Sequence, residues 1–151
     1  MMLYLWSALV VAADQITKYL VKTYMEQGES FPVFGEYLRI TSHRNPGAAW
    51  GILAGQRWFF VVISVAVAIG VIYYSRRVRS RLVRAALPLL LGGAVGNMID
   101  RVLYGEVVDF FDVRIINYPI FNIADMAIVI SVGLIFLDAL LDYRREQVSR
   151  Q

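Results

Sequence analysis

Cysteine is absent from the 151 residues, and histidine occurs once, as His43. The first absence excludes disulfides, zinc–thiolate sites, thiol nucleophiles and lipidation of the chain on a cysteine. The second removes the paired histidines of a helical zinc-protease motif and leaves a Ser–His relay without a credible base. Charge is scarce too: Asp, Glu, Lys and Arg make up 18% of the chain, whereas 58% is hydrophobic and the mean hydropathy is +0.56. Soluble domains lie nearer half apolar, so lipid is the expected solvent over much of the surface. The length suits a single domain, taken as residues 1–151.

What charge exists is placed unevenly. Arg76, Arg77, Arg79, Arg81 and Arg84 crowd one short stretch, and Arg144, Arg145 and Arg150 lie at the end of the chain. Nucleic-acid binding is one account of such a cluster. Because this one lies between two apolar runs, it reads as a cytoplasmic membrane loop, and no nucleic-acid partner is expected. A spanning helix needs about 20 residues, and four such spans are predicted at about 3–21, 57–75, 84–104 and 121–142. The second is uncharged from Trp58 to Tyr74; the others reach that length only by including polar residues. With the arginine-rich loop cytoplasmic, both termini are cytoplasmic, and segments at about 22–56 and 105–120 face outward. The first run has an alternative reading as a signal peptide cut after Ala13. The lack of Lys or Arg before it and the helical pattern continuing beyond it argue against cleavage.

The first outward segment has its own pattern. Glu36 to Arg44 alternates and is rich in β-formers, which predicts a strand or hairpin. Asn45-Pro46-Gly47 is a turn, and Ala48 to Leu53 is a short apolar piece suited to an interface. The predicted fold class is therefore an all-α integral membrane protein, with four transmembrane helices and a small extracytoplasmic β platform.

Polar residues inside spans are costly and are functional suspects. Measured from the cytoplasmic ends at the helical rise, Asp14 and Asn97 lie roughly 20 Å up their helices, Asp100 about 24 Å and Asp125 about 27 Å. In a hydrocarbon core about 30 Å thick, these residues share one outer layer, and Asp109 follows just after the third helix should end. A polar site at the outer leaflet, roofed by the outward segments, is expected. Bland readings compete. Asp14 and Lys18, four apart, can be a simple intrahelical pair. Asp100 and Arg101 can anchor the interface, Asn122 and Asp125 can cap a helix, and Asp109 can be a solvated loop acid. Gly92 and Gly96 form a G-x-x-x-G that admits a close helix. His43 reads as a surface strand residue, and Asp112, Asp138 and Asp142 as interfacial.

The available chemistry is that of carboxylates. Two brought close share a proton, so one acts as base toward water and the other as acid toward the scissile carbonyl and leaving amine. No cofactor or metal is required. Burial in a low-dielectric layer should raise both apparent pKa values. Asp14, Asp100, Asp109 and Asp125 are all candidates for the pair. Asp14 has Lys18 nearby and Asp100 adjoins Arg101, so Asp109 and Asp125, without basic neighbours at such spacings, are the better choice. Two other classes fit the carboxylates less well. A small ion-coupled transporter would use Asp14, Asp100 and Asp125 as proton relays, but inverted repeats are lacking. A non-catalytic assembly factor would use the glycine face alone.

Five motifs occur in order: Asp14-Gln-x-x-Lys18, Asn45-Pro-Gly-Ala-Ala-Trp-Gly51, Gly92-Gly-Ala-x-Gly-Asn-x-x-Asp-Arg101, Val107-Val-Asp-Phe110 and Phe121-Asn-x-Ala-Asp125. Together they resemble the lipoprotein signal peptidase (signal peptidase II) family over nearly the whole chain. The resemblance implies an aspartic endopeptidase of the bacterial cytoplasmic membrane. It would remove signal peptides from diacylglyceryl-modified prolipoproteins on the N-terminal side of the lipidated cysteine. The catalytic residues it implies are Asp109 and Asp125, supported by Asp14, Asn45, Asn97, Asp100, Arg101 and Asn122. It also implies membrane lipid as surroundings and inhibition by globomycin. A monomer is the default expectation.

Overall fold

The protein is described here by a computed structural model covering residues 2–116 and 118–149. Four α-helices and a three-stranded sheet make up the described residues: α1 (Met2–Tyr24), β1 (Ser30–Phe34), β2 (Leu38–Asn45), α2 (Arg57–Ser75), α3 (Arg81–Tyr104), β3 (Val107–Val113) and α4 (Ile123–Ser149). Three of the helices, α2, α3 and α4, are long and apolar enough to cross a membrane. At 23 residues α1 is longer than α2, but it carries Asp14, Lys18 and Lys22.

Helix ends follow local chemistry. Ser80 caps α3, its hydroxyl accepting the Val83 N–H, and Gly105 ends the helix in the left-handed conformation at φ 85°. A side chain there would be strained, which makes glycine the natural stop. Asn122 and Asp125 begin α4 with reciprocal bonds. The Asn122 N–H donates to Asp125 Oδ2 at 3.2 Å, and the Asp125 N–H donates to Asn122 Oδ1 at 3.0 Å, a capping-box arrangement.

α3 is the central helix and packs against α1, α2 and α4. Its glycines set the approach distances. A methyl group added at Gly96 would lie 2.6 Å from Asp14 Oδ2, and one at Gly93 would lie 2.5 Å from the Ala124 carbonyl. Large apolar side chains on the outer helices face away from the core: Val62 is 66% exposed, Ile69 64%, Val129 60% and Phe136 64%. An apolar surface of this extent on a soluble protein would aggregate; in a bilayer it is the lipid-facing wall.

The sheet runs β1-β2-β3, antiparallel throughout, with β2 in the centre. The predicted strand over Glu36–Arg44 corresponds to β2. β1 and β3 are additional, and β3 turns the segment after Gly105 from a loop into a strand. Val108 and Phe110 on β3 pack with Val21 of α1, Met25 and Ile123. Successive strand side chains point to opposite faces, so Asp109, between Val108 and Phe110, is turned the other way. Phe121 bridges to Phe111, which fixes the chain entering α4 against β3.

Gly93→Ala is expected to push α4 away from α3, because the obstructing atom is backbone and cannot rotate aside. Overpacking of this kind costs roughly 1–3 kcal/mol, to be read as a lowered unfolding midpoint in detergent; an unchanged midpoint would refute the close-packing account.

Candidate active site

Ser7, Asp14, Lys18 and Val21 are the buried residues of α1. Their three- to seven-residue spacing puts them on one inward stripe. Lys18, only 3% exposed, is enclosed by acceptors. Its Nζ lies 2.8 Å from Asp14 Oδ2 and 3.0 Å from Asp100 Oδ2, and it donates to Asn97 Oδ1 at 2.9 Å. An ammonium has three N–H donors, and each finds a partner. The two carboxylates are held in turn. Asp14 Oδ1 accepts the Ala124 N–H of α4, Asp100 Oδ1 accepts from Gln15 Nε2, and Asp100 Oδ2 accepts the Val108 N–H of β3. One buried cation thereby joins three helices and the start of β3.

The sequence reading paired Asp100 with its neighbour Arg101, and here it needs correction. Adjacent helical residues do not face each other, and the ion-pair partner of Asp100 is Lys18. Arg101 instead donates to the Gly47 carbonyl at 2.9 Å and to the Asn97 carbonyl at 3.4 Å, with its guanidinium over the Phe60 ring. It fastens the loop after β2 to α3.

Asn97 and Asn122 connect this base to two further carboxylates. Asn97 Oδ1 accepts from Lys18 and also from Asn122 Nδ2 at 3.1 Å. Its amide Nδ2 must therefore turn away, and it donates to Asp125 Oδ1 at 2.7 Å. Asn122 Nδ2 donates to Asp109 Oδ1 at 2.7 Å, and Asn45 Nδ2 donates to Asp109 Oδ2 at 2.9 Å. Asp109 and Asp125 line one cavity of about 210 Å³, together with Asn45, Asn97 and Arg101. Asp14 and Asp100 do not line it.

The two cavity carboxylates differ. Asp109 is 1% exposed, so the solvated-loop reading fails: the residue sits in a strand of the sheet itself. Asp125 is half-buried. Burial is the main cause that pushes the Asp109 carboxyl up, to about 7, and the nearby charge of Asp125 adds to it; the Asn45 and Asn122 amides and Lys18 act in the opposite direction. The capping reading of Asn122 and Asp125 holds as well, since the same Asn122 that starts α4 also grips Asp109.

All eight residues singled out by sequence thus join one network. The others lie elsewhere. His43 is exposed. Asp112 pairs with Arg114 and accepts from Thr41, Asp138 accepts from Ser80 at the far end of the helices, and Asp142 pairs with Arg145. Among the described residues, no group of three or more His, Asp or Glu side chains is arranged to hold a metal. Gln15 was missed by the sequence reading, and Lys18 was taken only as an intrahelical partner. The Asp14-Gln-x-x-Lys18 motif contains both, but their contacts run to another helix.

A family model described as signal peptidase (SPase) II matches residues 6–141. A lipoprotein signal peptidase of Bacillus subtilis (strain 168) is 54% identical over 146 residues, covering 94% of this chain and 95% of the relative. One from Brevibacillus brevis is 51% identical over 146 residues, with 95% and 98% covered. Two solved structures described as bacterial membrane enzymes are also similar, each 46% identical. One has a TM-score of 0.90 and covers 94% of this chain and 89% of its own; the other has a TM-score of 0.81 and covers 92% of each.

Lys18→Met strands two buried carboxylates without their cation, and breaking a buried pair in this way costs roughly 3–5 kcal/mol. The loss is expected in denaturant unfolding in detergent micelles. Neutralising all three charges together (D14N/K18M/D100N) is expected to recover most of it, and failure to do so would mean that Lys18 has another structural role.

Proposed function

The chain belongs to the signal peptidase II family, aspartic-type peptidases of bacterial membranes that process lipoprotein precursors, and on that premise we propose that Asp109 and Asp125 form its catalytic pair. The single observation that carries this reading is the shared cavity, which the two carboxylates line while Asp14 and Asp100 are committed to Lys18.

The chemistry follows from the difference in burial. Asp109, the more deeply buried, holds the shared proton. Asp125 is the base: it removes a proton from a water molecule as that water attacks the scissile carbonyl carbon. Asp109 donates a hydrogen bond to the carbonyl oxygen and polarises it. As the tetrahedral intermediate collapses, a proton passes to the departing amine and the C–N bond breaks. The titration belongs to the pair as a unit. Asn97, Asn122 and Asn45 hold the carboxylates at fixed angles, so little reorganisation is needed during the reaction. Arg101 and Asn45 together hold the platform over the scissile bond: Arg101 grips Gly47, and Asn45 bonds both Asp109 and the Gly47 N–H. A transporter reading is disfavoured, because its relay needs Asp14, Asp100 and Asp125 all free to exchange protons, and two of the three, Asp14 and Asp100, are held by Lys18 and fixed N–H donors.

The substrate in this reading is a diacylglyceryl-modified prolipoprotein, cut before its lipidated cysteine. Its signal segment enters from the bilayer and its acyl chains stay in lipid. All four helices span the membrane, α1 included. Asp14 and Lys18 are on its inward stripe and Lys22 lies in its last turn, while Leu5, Leu9, Ile16 and Leu20 face outward. Both termini are cytoplasmic, in keeping with the arginine cluster between α2 and α3, and the site lies near the outer leaflet. Globomycin inhibits the enzyme in this reading, and the working unit is a monomer.

Asp109→Asn and Asp125→Asn are each expected to lower turnover of a diacylated precursor peptide by about 10²–10⁴-fold, the size of a general acid–base contribution. A folded variant of either kind with near-normal turnover would remove it from the pair. Globomycin is expected to block the unmodified enzyme in the same assay.

The pH dependence has a definite sign. Asp109 is raised from 3.8 to about 7, so its proton is retained through the acidic range and lost as pH rises past neutrality. kcat/KM is expected to fall above about pH 7, approaching tenfold per pH unit, which a profile with the lipidated peptide will test. The same shift makes Asp109 favour the folded state at low pH, a contribution lost as pH rises through its folded value. A rate still rising above pH 8 would contradict the acid role.

A further inference from the structure

A second cavity, of about 930 Å³, lies between the starts of α1 and α3, at the end of the helices away from the carboxylates. From Arg84, on its rim, to Asn97 is 13 residues along α3, roughly 20 Å of helix. Its walls are mainly apolar, with Trp6 of α1, Pro88 of α3 and Leu134 of α4 among them, and its rim carries Arg76, Arg81 and Arg84. No Asp or Glu lines it. Among the described residues none of the three arginines is in an ion pair. The side-chain bond recorded for Arg84 is a long one, 3.5 Å to the Val78 carbonyl.

An apolar crevice in a membrane protein is filled by lipid tails, and that alone is unselective. The rim adds selectivity. Guanidinium groups bind phosphate oxygens through paired N–H donors, and basic pockets between helices on the cytoplasmic side take anionic head groups. We propose that this cavity is a binding site for an anionic phospholipid, with an acyl chain between α1 and α3 and its phosphate on Arg76, Arg81 and Arg84. The charge complementarity of the rim selects this occupant over a zwitterionic lipid. The site is separate from the carboxylate cavity. It depends on the chain being embedded in a bilayer and does not depend on which residues catalyse.

Arg77 and Arg79 provide the control. They belong to the same basic stretch but do not line the cavity, so general attraction to a negative membrane surface would involve both pairs of arginines equally. The full chain, purified in a neutral detergent, is titrated with phosphatidylglycerol, phosphatidylcholine or inorganic phosphate, and bound lipid is counted by native mass spectrometry. Phosphatidylglycerol is expected to be retained in preference to phosphatidylcholine. R81Q/R84Q is expected to weaken that retention by about fivefold per arginine removed, while R77Q/R79Q leaves it unchanged. Ala85→Phe, which intrudes on the crevice without altering charge, is expected to weaken retention and keeps the test open if R81Q/R84Q misfolds. Equal retention of the two lipids, equal losses in both double variants, displacement by phosphate at lipid concentrations, or full retention by Ala85→Phe would each overturn the proposal.

Discussion

A single ammonium group, on Lys18, holds the centre of this molecule together. It is taken out of solvent, which is affordable only because Asp14, Asp100 and Asn97 meet its three hydrogens. From that group the order spreads outward. Asn97 cannot flip its amide, because its oxygen is held by Lys18 and Asn122, and so its nitrogen must serve Asp125. Asn122 cannot leave, because it caps α4 and grips Asp109 in the same pose. A residue that does not line the carboxylate cavity thus determines the orientation of those that do.

The constraint also explains the division of the four acids, Asp14, Asp100, Asp109 and Asp125. A carboxylate locked against a lysine is a poor proton carrier, and a carboxylate held by neutral amides keeps the freedom to change its charge. Asp14 and Asp100 are of the first kind; Asp109 and Asp125 are of the second. Within the second pair the surroundings still differ, Asp109 being fully enclosed and Asp125 half-buried.

Much of this was legible in the sequence, for identifiable reasons. Long apolar runs give helices almost regardless of context, and the alternation from Glu36 to Arg44 gave β2. β3 was hidden because Val107 to Val113 is buried on both faces, so its polarity does not alternate. β1 contains Pro32, which demotes a strand reading, yet an edge strand tolerates it. Asp14, Asn97, Asp100 and Asp125 were recognisable as polar groups at similar heights on separate helices, whereas Asn45, in a strand, was named only through the family resemblance; and height says nothing about azimuth. Chain adjacency suggested that Asp100 meets Arg101, whereas the turn of the helix sends the two side chains to different neighbours. The partner of Lys18 on α3 could not be found from spacing within α1.

The placement of acid and lysine on one stripe of α1 bears on how the molecule is made. An isolated helix that carries an aspartate and a lysine into a bilayer is destabilised by several kcal/mol, and their mutual contact recovers only part. The remaining partners, Asp100 and Asn97, reside on α3 and emerge from the ribosome some eighty residues later. The charged stripe of α1 is therefore complete only once α3 has been made and packed beside it, so the order in which these two helices are synthesised is not the order in which either reaches its final surroundings.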